Sequence, residues 1–178
     1  SIAGEVVFNT AMTGYVESLT DPSYRGQILV LTYPLQGNYG VPPPRKPGSI
    51  DRPYEASKIQ VQGLVVQNYV PTHSHHAGTR SLGEWLASED VPGITGIDTR
   101  TLTRKLREKG TMRGWLFPAE QSLEDAQRMA HTVEMKTEVW RLVAPTQPIK
   151  YPGGEPHVLL VDAGAKDNLV RSLLERGA

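Results

Sequence analysis

Cysteine is absent from the 178 residues, so disulfide bonds, thiolate metal ligands and a cysteine nucleophile within this chain are all excluded. An excess of one charge is also lacking, because 19 basic residues balance 19 acidic ones. Since a general phosphate-backbone binder carries a positive excess, we expect no nucleic-acid partner. No apolar run approaches the about 20 residues needed to cross a bilayer, and the first ten residues do not have a signal-peptide pattern. We expect a cytoplasmic protein with no membrane partner.

Proline and glycine cluster at two places and indicate loops. The first cluster is 41–48 (VPPPRKPG), where fixed φ angles and missing N–H donors exclude a helix or a central strand. The second is 144–156 (APTQPIKYPGGEP), and the hydrophobic pattern changes after it, which is typical of an interdomain linker. We therefore predict a domain at 1–143, a linker at 144–156 and the beginning of a second domain at 157–178.

Hydrophobic periodicity predicts a mixed α/β fold. Runs rich in β-branched and aromatic residues predict strands at 5–8, 27–33, 59–69, 112–117 and 137–142. Amphipathic spacing predicts helices at 81–87, 98–109 and 123–130. Ser81 and Asp98 are suited to cap the first two helices, and Gly110 is suited to stop the second in a left-handed conformation.

The last 22 residues have the pattern of an opening β-α unit. A continuous apolar run at 157–161 (HVLLV) predicts a strand, and leucine spacing at 168–176 predicts a helix. One strand and one helix cannot form their own core. We therefore predict that this unit begins a domain that is cut off here and continues in a longer protein.

Three features suggest site chemistry only weakly. His73, His75 and His76 lie close together, but their spacing matches no metal signature, and a polar loop is the simpler interpretation. Gly164 and Lys166 lack the GxxxxGK[ST] spacing of a phosphate-binding loop. The GxSxG motif is absent as well, so no Ser-His-Asp arrangement can be argued.

The predicted helix at 98–109 opens a basic segment. Residues 98–113 contain six basic residues against two acidic ones, a local net charge of +4. The simpler interpretation is a solvated helix face, and the alternative is a docking surface for an acidic partner. The basic residues are Arg100, Arg104, Lys105, Arg107, Lys109 and Arg113.

Residues 20–24 (TDPSY) predict a turn, with Asp21 at its first position and Pro22 where φ near −65° is wanted. Ser23 is then a turn serine. A hydroxyl on a rigid turn can also hydrogen-bond a polar ligand, so the residues alone leave both interpretations open.

Several segments share a family pattern. They are 4–15 (GEVVFNTAMTGY), 19–24 (LTDPSY), 27–34 (QILVLTYP), 37–40 (GNYG), 96–100 (GIDTR), 106–110 (LREKG) and 161–168 (VDAGAKDN). In this order, along nearly the whole chain, they resemble the small, glutamine-hydrolysing subunit of carbamoyl-phosphate synthase.

The resemblance implies a swivelling β/β/α-type N-terminal domain followed by the truncated start of a class I glutamine amidotransferase domain. In that family the subunit releases ammonia from glutamine with a cysteine, a histidine and a glutamate. The ammonia reaches a large subunit, which uses bicarbonate and ATP to make carbamoyl phosphate for pyrimidine or arginine synthesis. Ser23 matches the serine of the family's Thr-Asp-Pro-Ser motif, which helps to hold glutamine. ATP and magnesium bind the large subunit, so no cofactor or metal is expected in this chain.

Two hypotheses follow. In the first, the chain docks on a large subunit or a fused synthetase domain and lines the glutamine site through Ser23. It lacks the catalytic triad, so this fragment alone is expected to be inactive. In the alternative, it is a stand-alone, non-catalytic interaction or regulatory module of the same fold. The apolar β-α unit at 157–178 argues against the alternative, because an unpaired apolar face is costly to expose.

Overall fold

A five-stranded sheet forms the centre of the molecule. The computed structural model describes residues 1–132 and 138–178. In it β1 (Ile2–Asn9) lies between β2 (Gln27–Leu31) and β7 (Met112–Leu116). The remaining elements are α1 (Tyr15–Thr20), a 3₁₀ helix (Pro22–Tyr24), β3 (Leu35–Gln36), β4 (Gly63–Val65), β5 (Asn68–Tyr69), α2 (Leu82–Ser88), β6 (Gly93–Ile94), α3 (Thr99–Lys109), α4 (Leu123–Thr132), a second 3₁₀ helix (Val139–Leu142) and α5 (Asp167–Leu174).

The sheet is mixed, with the strand order β6-β4-β2-β1-β7. Neighbours from β6 to β1 are parallel, whereas β7 is antiparallel to β1. Parallel neighbours require crossover connections, and α1 and α2 lie in two of these connections. A separate small sheet pairs β3 with β5 in parallel. The predicted mixed α/β class is confirmed.

Helices cover both faces of the sheet. Along β2, Leu29 and Leu31 face one hydrophobic cluster, while Ile28 and Val30 face another. This alternation follows from the two-residue period of a strand. The first cluster is completed by α1 and α2, and the second by α3. Both faces of the central strands are therefore buried, as expected for a largely parallel sheet.

Two helices begin where the sequence predicts. The Ser81 hydroxyl accepts a hydrogen bond from the Glu84 amide at 3.1 Å, and the Glu84 carboxylate accepts one from the Ser81 amide at 2.7 Å. This reciprocal capping box starts α2. Asp98 caps α3 by accepting from the Thr101 amide at 2.9 Å. Gly110, with φ of 80°, follows the end of α3.

The strand predictions at 59–69 and 137–142 need correction. The first stretch forms strands only at Gly63–Val65 and Asn68–Tyr69. Before them the backbone turns to α1, since the Gln60 amide donates to the Leu19 carbonyl at 2.8 Å. In the second stretch Val139–Leu142 forms a 3₁₀ helix, and position 137 lies outside the described residues. Its local i to i+3 bonds replace a ladder with another strand.

The predicted strand at 157–161 is also wrong. No strand within residues 1–132 and 138–178 pairs with it, and a strand needs such a partner for its backbone groups. Leu159 and Val161 are 93% and 88% exposed. The following helix is confirmed as α5, and residues 144–156 form neither helix nor strand.

Candidate functional site

We call the turn at residues 20–24 the serine turn, and hydrogen bonds between its own residues stabilise it. The Asp21 carboxylate accepts a hydrogen bond from the Ser23 amide at 2.9 Å, and the Asp21 carbonyl accepts one from the Tyr24 amide at 3.0 Å. Pro22 occupies the first position of the 3₁₀ helix, where its fixed φ suits the helical start. The backbone around Ser23 is therefore fixed before any ligand arrives.

Ser23 is exposed on this rigid turn. Its hydroxyl has no hydrogen-bond partner in the described part of the chain, although its amide is bonded to Asp21. A serine hydroxyl can donate one hydrogen bond and accept two. The turn therefore presents an uncommitted hydroxyl at the surface, on a backbone that is fixed by hydrogen bonds.

A second part of the chain meets the serine turn. We call residues 162–174, the loop before α5 and α5 itself, the docked segment. Lys166 of this segment donates a hydrogen bond from Nζ to Asp21 Oδ2 at 2.7 Å. Asp21 is 7% exposed and thus uses one carboxylate oxygen to shape the serine turn and the other to hold Lys166. The hydrogen bond to Asp21, with the nearby negative charges, raises the pKa of Lys166 above its ordinary value.

The loop that carries Lys166 depends on a glycine. The Asp162 carboxylate accepts hydrogen bonds from the amides of Gly164 at 2.7 Å and Ala165 at 2.6 Å, which closes a tight turn. Gly164 has a φ of 111°, a conformation that L side chains rarely adopt. A Cβ at this position would lie 2.5 Å from a methyl group of Val143 and 3.6 Å from the Pro22 side chain. Only glycine fits this approach to the serine turn without displacement.

A buried ion pair fixes α5 beside the same turn. Arg171, 8% exposed, donates to Glu55 Oε1 at 2.8 Å and to the carbonyls of Ile50 and Tyr54 at 2.7 and 2.9 Å. The Glu55 amide in turn donates to the Thr20 hydroxyl at 2.9 Å. The buried charges are thus compensated and connected to the first residue of the serine turn.

Glu55 also contacts the first turn of α5. Its second carboxylate oxygen accepts from the Asn168 amide at 2.8 Å, and its carbonyl accepts from the Asp167 amide at 3.0 Å. A carboxylate is favourable there because the amino end of a helix carries unpaired N–H groups and a positive dipole. Arg45 pairs with the Asp167 side chain, yet burial outweighs this pairing and raises the pKa of Asp167.

The three histidines singled out in the sequence, His73, His75 and His76, lie together in one loop. The ring centroids of His75 and His76 lie 4.3 Å apart with the rings tilted by 34°, and His73 Nε2 lies 3.2 Å from the Gly78 carbonyl oxygen. Within residues 1–132 and 138–178, no group of three or more potential ligands is arranged to hold a metal ion. No helix in those ranges is long and apolar enough to cross a membrane.

The contacts of Lys166 and Arg171 were not predicted from the sequence. Lys166 has only Gly164 near it in the sequence as a possible phosphate-loop residue, whereas its partner Asp21 lies 145 positions earlier. Glu55 and Arg171 are 116 positions apart and lie in segments with no recognisable charge pattern. The one available signal was the resemblance of residues 161–168 to a family segment, which marks the stretch without assigning a partner.

The fold and the serine turn define the class of protein to which the chain belongs. It is a mixed α/β domain in which Asp21 of the serine turn is ion-paired to Lys166 of the docked segment. Comparison with known proteins then identifies the family. The family model described as "Carbamoyl-phosphate synthase small chain, CPSase domain" matches residues 1–116. The chain therefore belongs to the carbamoyl-phosphate synthase small chain family, which confirms the resemblance seen in its motifs.

Similarity to curated relatives continues beyond the matched domain. The carbamoyl phosphate synthase arginine-specific small chain of Phaeosphaeria nodorum is 44% identical over 100% of this chain and 38% of its own length. The carbamoyl phosphate synthase small chains of Saccharolobus solfataricus and Methanopyrus kandleri are each 42% identical over 98% of this chain, and over 47% and 48% of their own lengths. The chain thus spans less than half the length of these relatives.

Proposed function

We propose that this chain is the N-terminal part of a glutamine-hydrolysing small chain, and that Ser23 contacts the glutamine. The full-length protein would release ammonia from glutamine and supply it to a large synthetase chain. That chain would bind ATP and magnesium and make carbamoyl phosphate from bicarbonate, for pyrimidine or arginine synthesis in the cytoplasm. The thiol nucleophile of such a reaction lies outside these 178 residues, which contain no cysteine.

One observation carries the proposal for Ser23. Its hydroxyl is exposed and uncommitted, yet its backbone is fixed by Asp21 at the point where Lys166 joins the docked segment to the turn. A polar ligand bound between these two parts of the chain would meet a hydroxyl carried on a backbone that is already in place. Preorganisation of this kind lowers the entropy lost on binding.

The chemistry of glutamine suits such a hydroxyl. Its ammonium and amide NH₂ groups donate hydrogen bonds, and its carboxylate and amide oxygen accept them, so a serine can bind any of these groups. The salt bridge with Lys166 compensates the charge of Asp21. The serine turn therefore does not present an uncompensated negative charge to the carboxylate of glutamine.

The proposed function also implies a division of the chain into two domains joined by a linker. Residues 1–143 form the swivelling β/β/α-type domain, 144–156 the linker, and 157–178 the start of the amidotransferase domain. The exposed apolar side chains of Leu159 and Val161 support this assignment, because further strands would cover them in the full-length protein. A stand-alone module would leave that apolar face in water.

The test is steady-state glutamine hydrolysis by the full-length protein in complex with its large chain. Ser23→Ala removes one hydrogen bond to glutamine. We expect a loss of about 1.4 kcal/mol in the binding free energy, which corresponds to about a tenfold increase in KM for glutamine. Synthesis of carbamoyl phosphate from added ammonia should be unchanged, since ammonia bypasses the glutamine site. Ser57→Ala, at another exposed serine, is the matched control.

Two results would count against the proposal. Equal kinetic constants for Ser23→Ala and Ser57→Ala would remove Ser23 from the glutamine site. A parallel loss of the ammonia-dependent reaction would show that the substitution damages the assembly and not glutamine binding.

A further inference from the structure

Three arginines form a stripe along the exposed side of α3. Arg100, Arg104 and Arg107 are spaced at i, i+4 and i+7, which places them on one side of a helix. All three are exposed, while Thr99, Thr103 and Leu106 of the same helix are buried and face the sheet. We call these three residues the arginine stripe. Its orientation is set by the packing of α3 and not by the charges themselves.

The arginine stripe has no acidic partner at salt-bridge distance within residues 1–132 and 138–178. Glu108 is four residues after Arg104, a spacing that allows an intrahelical pair, but the two side chains do not form an ion pair. The guanidinium of Arg107 lies over the Phe8 ring, 5.6 Å from its centroid, which restrains this end of the stripe. Arg107 is therefore restrained, and Arg104 and Arg107 have no acidic partner at salt-bridge distance, whereas the nearby carboxylate of Asp98 interacts with the charge of Arg100.

This arrangement is unfavourable for the isolated helix. Arg100 lies in the first turn of α3, where the helix dipole disfavours a positive charge and where the N-cap Asp98 offsets it only in part. Arg100 and Arg104 are also a like-charged pair at i, i+4 and repel each other. A helix face that served only for solvation would gain from mixed charges, but α3 has five basic residues and a single acidic one, Glu108.

The kind of side chain indicates the kind of partner. Arginine is enriched at protein interfaces because its planar guanidinium makes two parallel hydrogen bonds to a carboxylate, whereas lysine is depleted there. On α3 the stripe consists only of arginine, while Lys105 and Lys109 lie on another side of the helix. The whole chain has a formal net charge of +0, so the stripe is a local feature and not part of a generally basic surface.

We infer that the arginine stripe is the surface through which this domain docks on an acidic surface of the large synthetase chain. The inference rests on the proposed function and adds to it the contact surface and its chemistry. Carboxylates of the partner would compensate the charges that α3 leaves unpaired. The loss of helix stability would then be recovered on assembly, and electrostatic attraction would speed the encounter.

The experiment compares two charge reversals of equal size in the full-length protein. Arg100→Glu/Arg104→Glu and Lys105→Glu/Lys109→Glu each change the charge of α3 by the same amount, at positions roughly 140° apart around the helix. The dissociation constant for the large chain is measured by biolayer interferometry at about 0.05 M and about 0.2 M salt, a range over which screening changes strongly. Circular dichroism checks that both variants are folded.

Reversal of the arginine pair should weaken binding by about tenfold or more at low salt, and reversal of the lysine pair by less than about threefold. The arginine variant should also lose most of the salt dependence of the wild type. Neutral substitution, Arg100→Gln/Arg104→Gln, gives an independent readout if the reversed variant unfolds. It should weaken binding while raising the melting temperature, because it removes the repulsion within α3.

Each contrary result has a separate meaning. Equal effects of the arginine and lysine pairs, or no effect of either, overturn the assignment of the stripe but leave the proposed function intact. Failure of the wild-type protein to bind the large chain overturns the proposed function, and this inference with it. Binding of a 20-base-pair DNA duplex that is lost only in the arginine variant would show that the partner is not an acidic protein surface.

Discussion

Removal of the negative charge of Glu55 should loosen the docked segment and destabilise the protein strongly. Glu55→Gln keeps the size of the side chain but leaves Arg171 as a buried cation without its carboxylate. The side chains of the two residues are only 11% and 9% exposed, so water cannot replace the lost partner well. Breaking one side of a buried pair typically costs about 3–5 kcal/mol.

The structure places the expected cost near the lower end of that range. Arg171 keeps two carbonyl acceptors, from Ile50 and Tyr54, after the charge of Glu55 is removed. A loss of about 3 kcal/mol corresponds to a decrease in melting temperature of about 6–12 °C for a protein of this size. Thermal unfolding followed by circular dichroism measures it directly.

A matched control lies at the end of the same helix. Glu175 pairs with Arg52 at 3.4 Å, but both side chains are more than 60% exposed. Glu175→Gln should therefore change the stability by less than about 1 kcal/mol. Equal decreases in melting temperature for Glu55→Gln and Glu175→Gln would refute the claim that burial makes the Glu55–Arg171 pair important.

Two further predictions concern the loop that meets the serine turn. Gly164→Ala should destabilise the docked segment by about 1–3 kcal/mol, because a φ of 111° is strained for alanine and its Cβ would approach Val143. Limited proteolysis should measure this loss as faster cleavage after the loop. Lys166→Met should be destabilising at pH 8. Because Asp21 raises the pKa of Lys166, the contribution of this pair is complete below the ordinary lysine pKa and is lost as the pH rises through the folded-state value. The melting temperatures of wild type and Lys166→Met should therefore converge above about pH 10.5.

Local signals in the sequence account for the helices and the serine turn. The capping residues Ser81 and Asp98 act through atoms three residues away, so their effect can be seen in a short window of sequence. The turn at 20–24 follows equally from Asp21 and Pro22. These features were predictable because their physical causes are local.

The strands predicted at 5–8, 27–33 and 112–117 are present, whereas the wrong strand prediction at 157–161 and the missed charge pairs both concern distant partners. Residues 157–161 are apolar enough for a strand, but no neighbouring strand in the described part of the chain supplies hydrogen bonds. The contact between Lys166 and Asp21 requires the linker to bring together residues 145 positions apart. No periodicity in the sequence encodes that distance.

We propose that Ser23 lines the glutamine site, and a crystal structure of the full-length protein with bound glutamine tests this contact. We predict a polar atom of glutamine within about 2.6–3.2 Å of Ser23 Oγ, with the hydrogen bonds that the Ser23 amide and Lys166 donate to Asp21 preserved. Glutamine bound at a place where Ser23 Oγ contacts only solvent would contradict it.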